Sequence, residues 1–237
     1  MLAFDENRHA FQLDGVAIPS VTEILSPLQE DSFKMIRPEV LQAAADRGTL
    51  VHEITEAIDL DMDYEDLLEP QVMPYVEAYL DFLTEHDVEW DGVEEKVYFQ
   101  PENAEGWVSY AGIVDRFGMI DGEWAVLDIK TVNSPTIEQK VSVATQLYAY
   151  QMAIQQRFAL WPQNARHYAL YLNKDGKYRL YDTDELCEKD DLEPDRVWYA
   201  LMASYSWKDE AKRQLMAIKE KHRRKPKNEP EINENPV

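Results

Sequence analysis

The stretch GEWAVLDIKT at 122–131 ends an apolar run in two charges, Asp128 and Lys130, two residues apart. Strand alternation places Trp124, Val126, Asp128 and Lys130 on one face and Ala125, Leu127 and Ile129 on the other. The preceding run, YAGIVDRFGMI, joins it through Asp121-Gly122, a dipeptide suited to a two-residue type I′ turn. With Ile120 and Glu123 flanking that turn, Phe117 meets Val126 and Asp115 meets Asp128. Opposed side chains in such a pair stand roughly 4.5–5.5 Å apart at Cβ, and like charges so placed repel. A divalent cation between the carboxylates removes the repulsion, and Lys130 then faces any anion bound to that cation. The bland alternative is a wet sheet edge at which Asp115 pairs with Arg116 or Lys130. An acid, any residue and lysine also occur together at Glu94, Glu138, Asp175 and Glu210, so the triplet alone means little. Only the copy at Asp128 sits in a strongly apolar strand with a hairpin partner.

Further strings share this order: PSVTEIL at 19–25, RGTLVH at 47–52, GIVDR at 112–116, VLDIKT at 126–131 and QLYAY at 146–150. Together they resemble the PD-(D/E)XK nuclease superfamily, in particular its RecB-like exonuclease branch, which takes in phage exonucleases and the mitochondrial genome maintenance exonuclease. Val114 stands where the superfamily name has proline, and the iron-sulfur cysteines of some relatives are absent. The resemblance implies that Asp115, Asp128 and the backbone carbonyl of Ile129 ligate Mg²⁺ or Mn²⁺, with His52 as a further ligand. It implies that Asp115, Asp128 and Lys130 are catalytic, Lys130 orienting the attacking water and stabilising the charge that develops on phosphorus. Gln146 and Tyr150, at i and i+4, share a helix face and would brace the site or contact the DNA backbone. A glutamate ahead of the hairpin often faces the metal in relatives. Glu94 and Glu95 both qualify, and since neighbours in a strand face opposite ways only one can serve; the reading leans to Glu95. Glu56, one turn after His52, is a candidate supporting acid.

The elements that must hold these residues are legible in outline. HAFQLDGVAIPS suggests a hairpin turning at Asp14-Gly15, then a helix capped by Ser20 with Glu23 in the capping box. Pro38 opens a long helix carrying His52, which Gly48 could divide in two. A helix is expected over 73–85, strands over 92–100, 110–120 and 123–131, a helix over 137–158, a hairpin at Asp175-Gly176 and a last helix from about Leu192. The fold class is therefore α/β, a mixed central sheet flanked by helices. Residues 1–227 read as one nuclease domain with an N-terminal helical wall and a basic C-terminal helix, and 228–237 as a disordered tail. DLDMDYED imitates a calcium loop, but Tyr64 occupies the position that needs glycine and Pro70 that of the bidentate glutamate.

Composition narrows the function. A single cysteine, Cys187, excludes an intramolecular disulfide and an iron-sulfur cluster, and with no signal-peptide pattern or long apolar run the expectation is a cytoplasmic protein without a membrane span. The net charge is −22, but charge is segregated: Lys96 is the sole Lys or Arg between Glu53 and Glu105, whereas Lys212, Arg213, Lys219, Arg223 and Arg224 cluster near the end. That basic helix is the candidate for phosphate contacts. The expected activity is Mg²⁺- or Mn²⁺-dependent exonucleolytic hydrolysis of linear DNA with a free end, in recombination, repair or phage DNA processing. A recombination or single-strand-binding protein and a second copy of the chain are its candidate partners. The rivals are a non-catalytic acidic interaction protein or DNA mimic on the same fold, and a structure-specific endonuclease.

Overall fold

The computed structural model describes residues 1–6, 8–33, 36–102 and 107–224, leaving aside the side chains of 30–33, 222 and 224. The expected tail at 228–237 lies outside the described residues.

Three short antiparallel strands, β1 (Leu2–Asp5), β2 (Ala10–Leu13) and β3 (Val16–Ile18), form a small sheet ahead of the main body. The β2–β3 turn has both central residues at positive φ, Asp14 at 51° and Gly15 at 81°, as a type I′ turn requires. Helix α1 (Val21–Phe33) then starts at a reciprocal cap: Glu23 N–H donates to Ser20 Oγ at 3.0 Å, and Ser20 N–H to Glu23 Oε2 at 2.7 Å. Helix α2 (Pro38–Asp59) runs unbroken through Gly48, contrary to the division anticipated there. A single glycine costs a helix only about 1 kcal/mol, and Val51, Ile54 and Ala57 bury the face that follows it. Helix α3 (Met73–Glu85) packs beside it.

The main sheet comprises β4 (Val88–Phe99), β5 (Tyr110–Ile120), β6 (Glu123–Lys130), β7 (Arg166–Leu172) and β8 (Tyr178–Asp182), side by side in chain order. All neighbours are antiparallel except β6 and β7, which helix α4 (Ile137–Arg157) connects in parallel. The Asp121-Gly122 turn again has two positive φ values, 51° and 83°, and sets the anticipated register, Phe117 opposite Val126 and Met119 opposite Trp124. Strand β4 starts four residues before its expected beginning because Asp91 is accommodated as a bulge between Trp90 and Gly92. Helix α5 (Thr183–Asp190) was not legible in the sequence; it is short, buries only Thr183 and Cys187, and starts because Asp182 accepts from the N–H groups of Asp184 and Glu185. The long α6 (Pro194–Arg224) closes the described chain.

The result is a mixed α/β architecture, a five-stranded sheet between two helical layers. On one face α1, α4 and α6 bury Leu25, Leu147 and Trp198 against Phe117 and Val126. On the other, α2 and α3 bury Ile54, Tyr79 and Phe82 against Leu127, Ile129 and Leu170. Strand β6 is therefore covered on both sides, which is why its two charges stand out in an otherwise apolar run. No helix among the described residues is long and apolar enough to cross a membrane.

Candidate metal centre

Three strands and one helix bring the acids together. Strand β4 pairs with β5 through Val93–Arg116 and Glu95–Val114, so Glu94 lies level with Asp115. Its backbone is left-handed, φ 47°, a conformation that costs a non-glycine residue on the order of 1–2 kcal/mol. The kink breaks strand alternation and brings the Glu94 carboxylate to 3.1 Å from His52 Nδ1 and 3.2 Å from Arg116 Nη1. Glu95 instead pairs with Arg157 near the end of α4, at 2.5 Å. The preference for Glu95 as the acid facing the site is thus corrected to Glu94. Alternation along a regular strand could not reveal the choice, because the residue at issue is where the strand ceases to be regular.

Asp115 and Asp128 stand at the mouth of the β5–β6 hairpin's open end. The regular ladder stops one step earlier, at Arg116–Leu127, and the Asp115 carboxylate accepts from the N–H of Ile129 at 2.6 Å. His52 of α2 reaches down to both strands: Nδ1 is 3.8 Å from Asp115 Oδ1, and Nε2 is 3.2 Å from the carbonyl oxygen of Ile129. With a carboxylate on one ring nitrogen and a carbonyl on the other, the imidazole has acceptors on both sides and is held as imidazolium. Burial works against that charge, but Asp115 and Glu94 outweigh it and push the His52 pKa up to about 9.

Ligand atoms of His52, Glu94 and Asp115 all lie within 4.8 Å of one another. Oxygen and nitrogen ligands sit at about 2.0–2.6 Å from a divalent cation, so these three atoms can share one. Asp128 is not in that trio. Its carboxylate is buried and ion-paired to Lys130, with Oδ1 accepting from Nζ at 2.7 Å and Oδ2 2.6 Å from the same ammonium. Burial, opposed by Lys130 and reinforced by Asp115, pushes the Asp128 pKa up to about 6. Burial also disfavours the charge of Lys130, but Asp128 and Asp115 prevail and hold its pKa above the ordinary lysine value. A trio of ligand atoms with carboxylates in excess of the one imidazole, beside a carboxylate already held by Lys130, is what a site for a hard cation presents.

A second network braces the first. Arg116, fully buried, donates through Nε to Asp59 Oδ2, through Nη1 to Glu94 and to the Asp115 carbonyl at 2.6 Å, and through Nη2 to Thr55 Oγ1 at 3.2 Å. Tyr79 OH donates to the same Asp59 oxygen at 2.6 Å. Sequence reading missed Asp59 and Tyr79 and offered Arg116 only as a partner for Asp115; the available signal was an arginine beside the acid in a strand otherwise apolar. On the other side, Gln146 donates to Tyr150 OH at 3.0 Å, both buried on α4. Burial first, then Asp115 and Asp128, hold the Tyr150 hydroxyl well above the ordinary phenol range, so it stays protonated beside the acids. Gly112 makes room for that ring, since a Cβ there would stand 2.5 Å from Tyr150 Cε1.

Above the acids, a cleft of about 1080 Å³ runs between α2 and the ends of the strands, lined among others by Arg47, His52, Glu56, Glu94, Lys130 and Lys174. Burial and then Glu94 raise the pKa of Glu56, which places it close enough to the trio to feel its charge. Arg47 lies over the Tyr75 ring, 5.4 Å from its centroid, and its buried Nε has no hydrogen-bond partner among the described residues. The basic residues of α6 are elsewhere. Lys212, Arg213, Lys219 and Arg223 are exposed and do not line the cleft, Arg213 pairs with Asp209 at 2.8 Å, and the side chain of Arg224 lies outside the described residues.

The geometry can be set beside known proteins. A search of curated proteins gave no match. A solved structure described as the crystal structure of SSO0001 aligns at 16% identity over 69% of this chain and 77% of that one, with a TM-score of 0.28, too distant a likeness to bear on the site. The sequence model of the PD-(D/E)XK nuclease superfamily matches residues 29–231, a span that takes in His52, Glu94, Asp115, Asp128 and Lys130, and the chain belongs to that superfamily.

Proposed function

We propose that the chain is a divalent-metal-dependent exonuclease acting on linear DNA, with His52, Glu94, Asp115 and the Ile129 carbonyl around the cation, Asp128 beside them and Lys130 facing the scissile phosphate. The observation that carries this reading is the cluster of His52, Glu94 and Asp115 ligand atoms within 4.8 Å, next to a buried Asp128 paired with Lys130 at the cleft wall. Superfamily membership makes the reaction nucleolytic hydrolysis and the substrate DNA; the exonuclease reading adds the likeness of PSVTEIL and RGTLVH to the RecB-like branch.

When bound, Mg²⁺ or Mn²⁺ would polarise the phosphate and lower the pKa of a water molecule. The residues do the rest. Lys130, about a third exposed (32%) on the cleft wall and tied to Asp128, presents its ammonium where the oxygens of a phosphate in the cleft gather charge. Arg47 and Lys174 add cations to the same cleft and hold the backbone of a strand lying along it. Tyr150, kept protonated, can donate toward an oxygen near Asp115 and Asp128 without adding negative charge. The exposed basic face of α6 supplies phosphate contacts further out.

Purified protein incubated with Mg²⁺ or Mn²⁺ should digest end-labelled linear DNA and leave covalently closed circles intact. Cutting of both at equal rates would replace the exonuclease by an endonuclease. Cutting of neither, with any divalent cation, would leave a DNA-binding or interaction protein on a nuclease fold.

A further inference from the structure

Beside the cleft lies a second, smaller cavity of about 190 Å³, between α1, α4 and the ends of β6 and β7. Lys130, Val132 and Gln139 line both, so the cavity opens off the cleft at the lysine assigned to the scissile phosphate. Its walls are mainly apolar, with Leu28 and Val143 on opposite helices. Its polar groups are unevenly used. Gln139 Oε1 accepts from Thr136 N–H, which leaves its amide nitrogen without a protein partner among the described residues. Gln29 and Gln146 donate to Ser142 and Tyr150, which leaves their carbonyl oxygens in the same condition. The hydroxyl of Tyr171, a buried wall residue, has no partner at all among them.

An apolar cavity of about 150 Å³ accommodates a benzene ring, so this one has room for a single substituted aromatic ring. Spare donors and spare acceptors together match the edge of a nucleobase, which offers both. A phosphate would meet Lys130 only at the mouth and would waste the apolar walls at Leu28 and Val143. Accordingly, and resting on the nuclease reading above, we propose that the cavity receives one pyrimidine base, splayed out of the stack, from the nucleotide adjoining the scissile phosphate. Its aromatic face packs between Leu28 and Val143, its edge meets Gln29, Gln139 and Gln146, and the backbone is thereby fixed with its phosphate at Lys130. A strand end, whose bases are least stacked, enters such a pocket most readily, which gives a physical source for a preference for ends.

The test uses linear strands carrying thymine, adenine or an abasic tetrahydrofuran at each position near the cleaved bond. At one position the abasic strand should fall roughly 10-fold or more in kcat/KM below thymine, with adenine between them. Ser142→Phe, which fills the cavity, should lower the thymine strand to the abasic rate, and Ser142→Leu serves should the larger side chain prevent folding. An independent readout is a pyrrolocytosine at that position, bound in EDTA so that no hydrolysis occurs: its fluorescence should rise on binding to the wild type and not to the filled variant. Equal cleavage of thymine and abasic strands at every position, or pyrrolocytosine unchanged at every position, overturns the proposal while leaving the nuclease reading intact. Cleavage of no strand at all removes the nuclease reading, and the base pocket with it.

Discussion

His52 and Arg116 are two cations that share one carboxylate, that of Glu94, yet their surroundings are built on opposite lines. Arg116 is wholly enclosed, and its acceptors come from α2, β4 and β5: Asp59, Thr55, Glu94 and the Asp115 carbonyl. Tyr79 completes Asp59 from α3. His52, 27% exposed at its side chain, faces the cleft, and around it acceptors exceed donors: Glu94, Asp115 and the Ile129 carbonyl. The closed network settles its own charge and needs nothing from outside. The open one is balanced only while the imidazole holds two protons. Burial and the ratio of acceptors to donors both tell the two apart. This contrast makes the first a structural brace and the second a place for an exchangeable cation.

The largest effect should come from the residue that faces the phosphate. Lys130→Ala removes a charge used as negative charge develops, so single-turnover cleavage should fall roughly 10²–10³-fold. The metal-induced rise in Tm should survive. Near-wild-type cleavage would reduce Lys130 to a counter-ion for Asp128.

Next is the closed network. Arg116→Gln leaves Asp59 buried without its cation, which costs about 3–5 kcal/mol, or on the order of 10 °C in Tm for a chain of this size. Thermal melting in EDTA checks this. The double change Arg116→Met with Asp59→Leu should recover much of the loss, because it removes the uncompensated charge. A single variant as stable as the wild type would show that the network is not closed.

The open cluster predicts the contrary behaviour with metal. At a cation concentration 100 times Kd, binding stabilises the folded protein by about 2.7 kcal/mol. Asp115→Asn should abolish most of that gain, and it should also lower the metal-free Tm, since the carboxylate accepts from the Ile129 N–H and is the first support of the His52 charge. An equal metal shift in wild type and variant would put the cation elsewhere, the acidic stretch 59–69 being the obvious site.

Without metal, His52 makes the same cluster sensitive to pH. Its folded pKa, about 9, lies above the ordinary value of 6.5, so its stabilising contribution is complete below pH 6.5 and is lost as pH rises through about 9. The unfolding free energy in EDTA should decline across that window by an amount on the order of 1–3 kcal/mol, and His52→Asn should flatten the decline. Metal affinity should run the other way, increasing with pH as the proton is displaced. A flat profile for the wild type would mean that the imidazole is neutral in the folded state.

How far the sequence carried these residues depended on how regular their elements are. The β5–β6 register followed from Asp121-Gly122 because a two-residue turn leaves no freedom, and β6 was conspicuous because its apolar residues occupy both faces. His52 was visible through RGTLVH and not through its own surroundings. What escaped was whatever depended on an irregularity or on distant pairing. The Asp91 bulge lengthened β4, the left-handed Glu94 reversed two side chains, and Asp59 and Tyr79 meet Arg116 from helices whose packing no local pattern reveals.

The smallest expected effect tests the reversal at Glu94 directly, by comparing two adjacent glutamates. Glu95 and Arg157 are each about a third exposed, at 33% and 39%, so their ion pair is screened and worth at most about 1 kcal/mol. Glu95→Gln should therefore lower Tm by no more than roughly 2–4 °C and leave the metal-induced shift unchanged. Glu94→Gln, one residue earlier, removes a carboxylate from the trio and an acceptor from both His52 and Arg116. It should take away much of the metal-induced shift, and it should also weaken the pH dependence seen in EDTA, because His52 then keeps only Asp115 to support its charge. Isothermal titration with Mn²⁺ separates the pair most cleanly: Glu95→Gln should bind as the wild type does, and Glu94→Gln roughly 10-fold or more weaker, in line with loss of a ligand or its close support. If the two variants exchanged these behaviours, the strand would be regular at this point in solution, with Glu95 turned to the site.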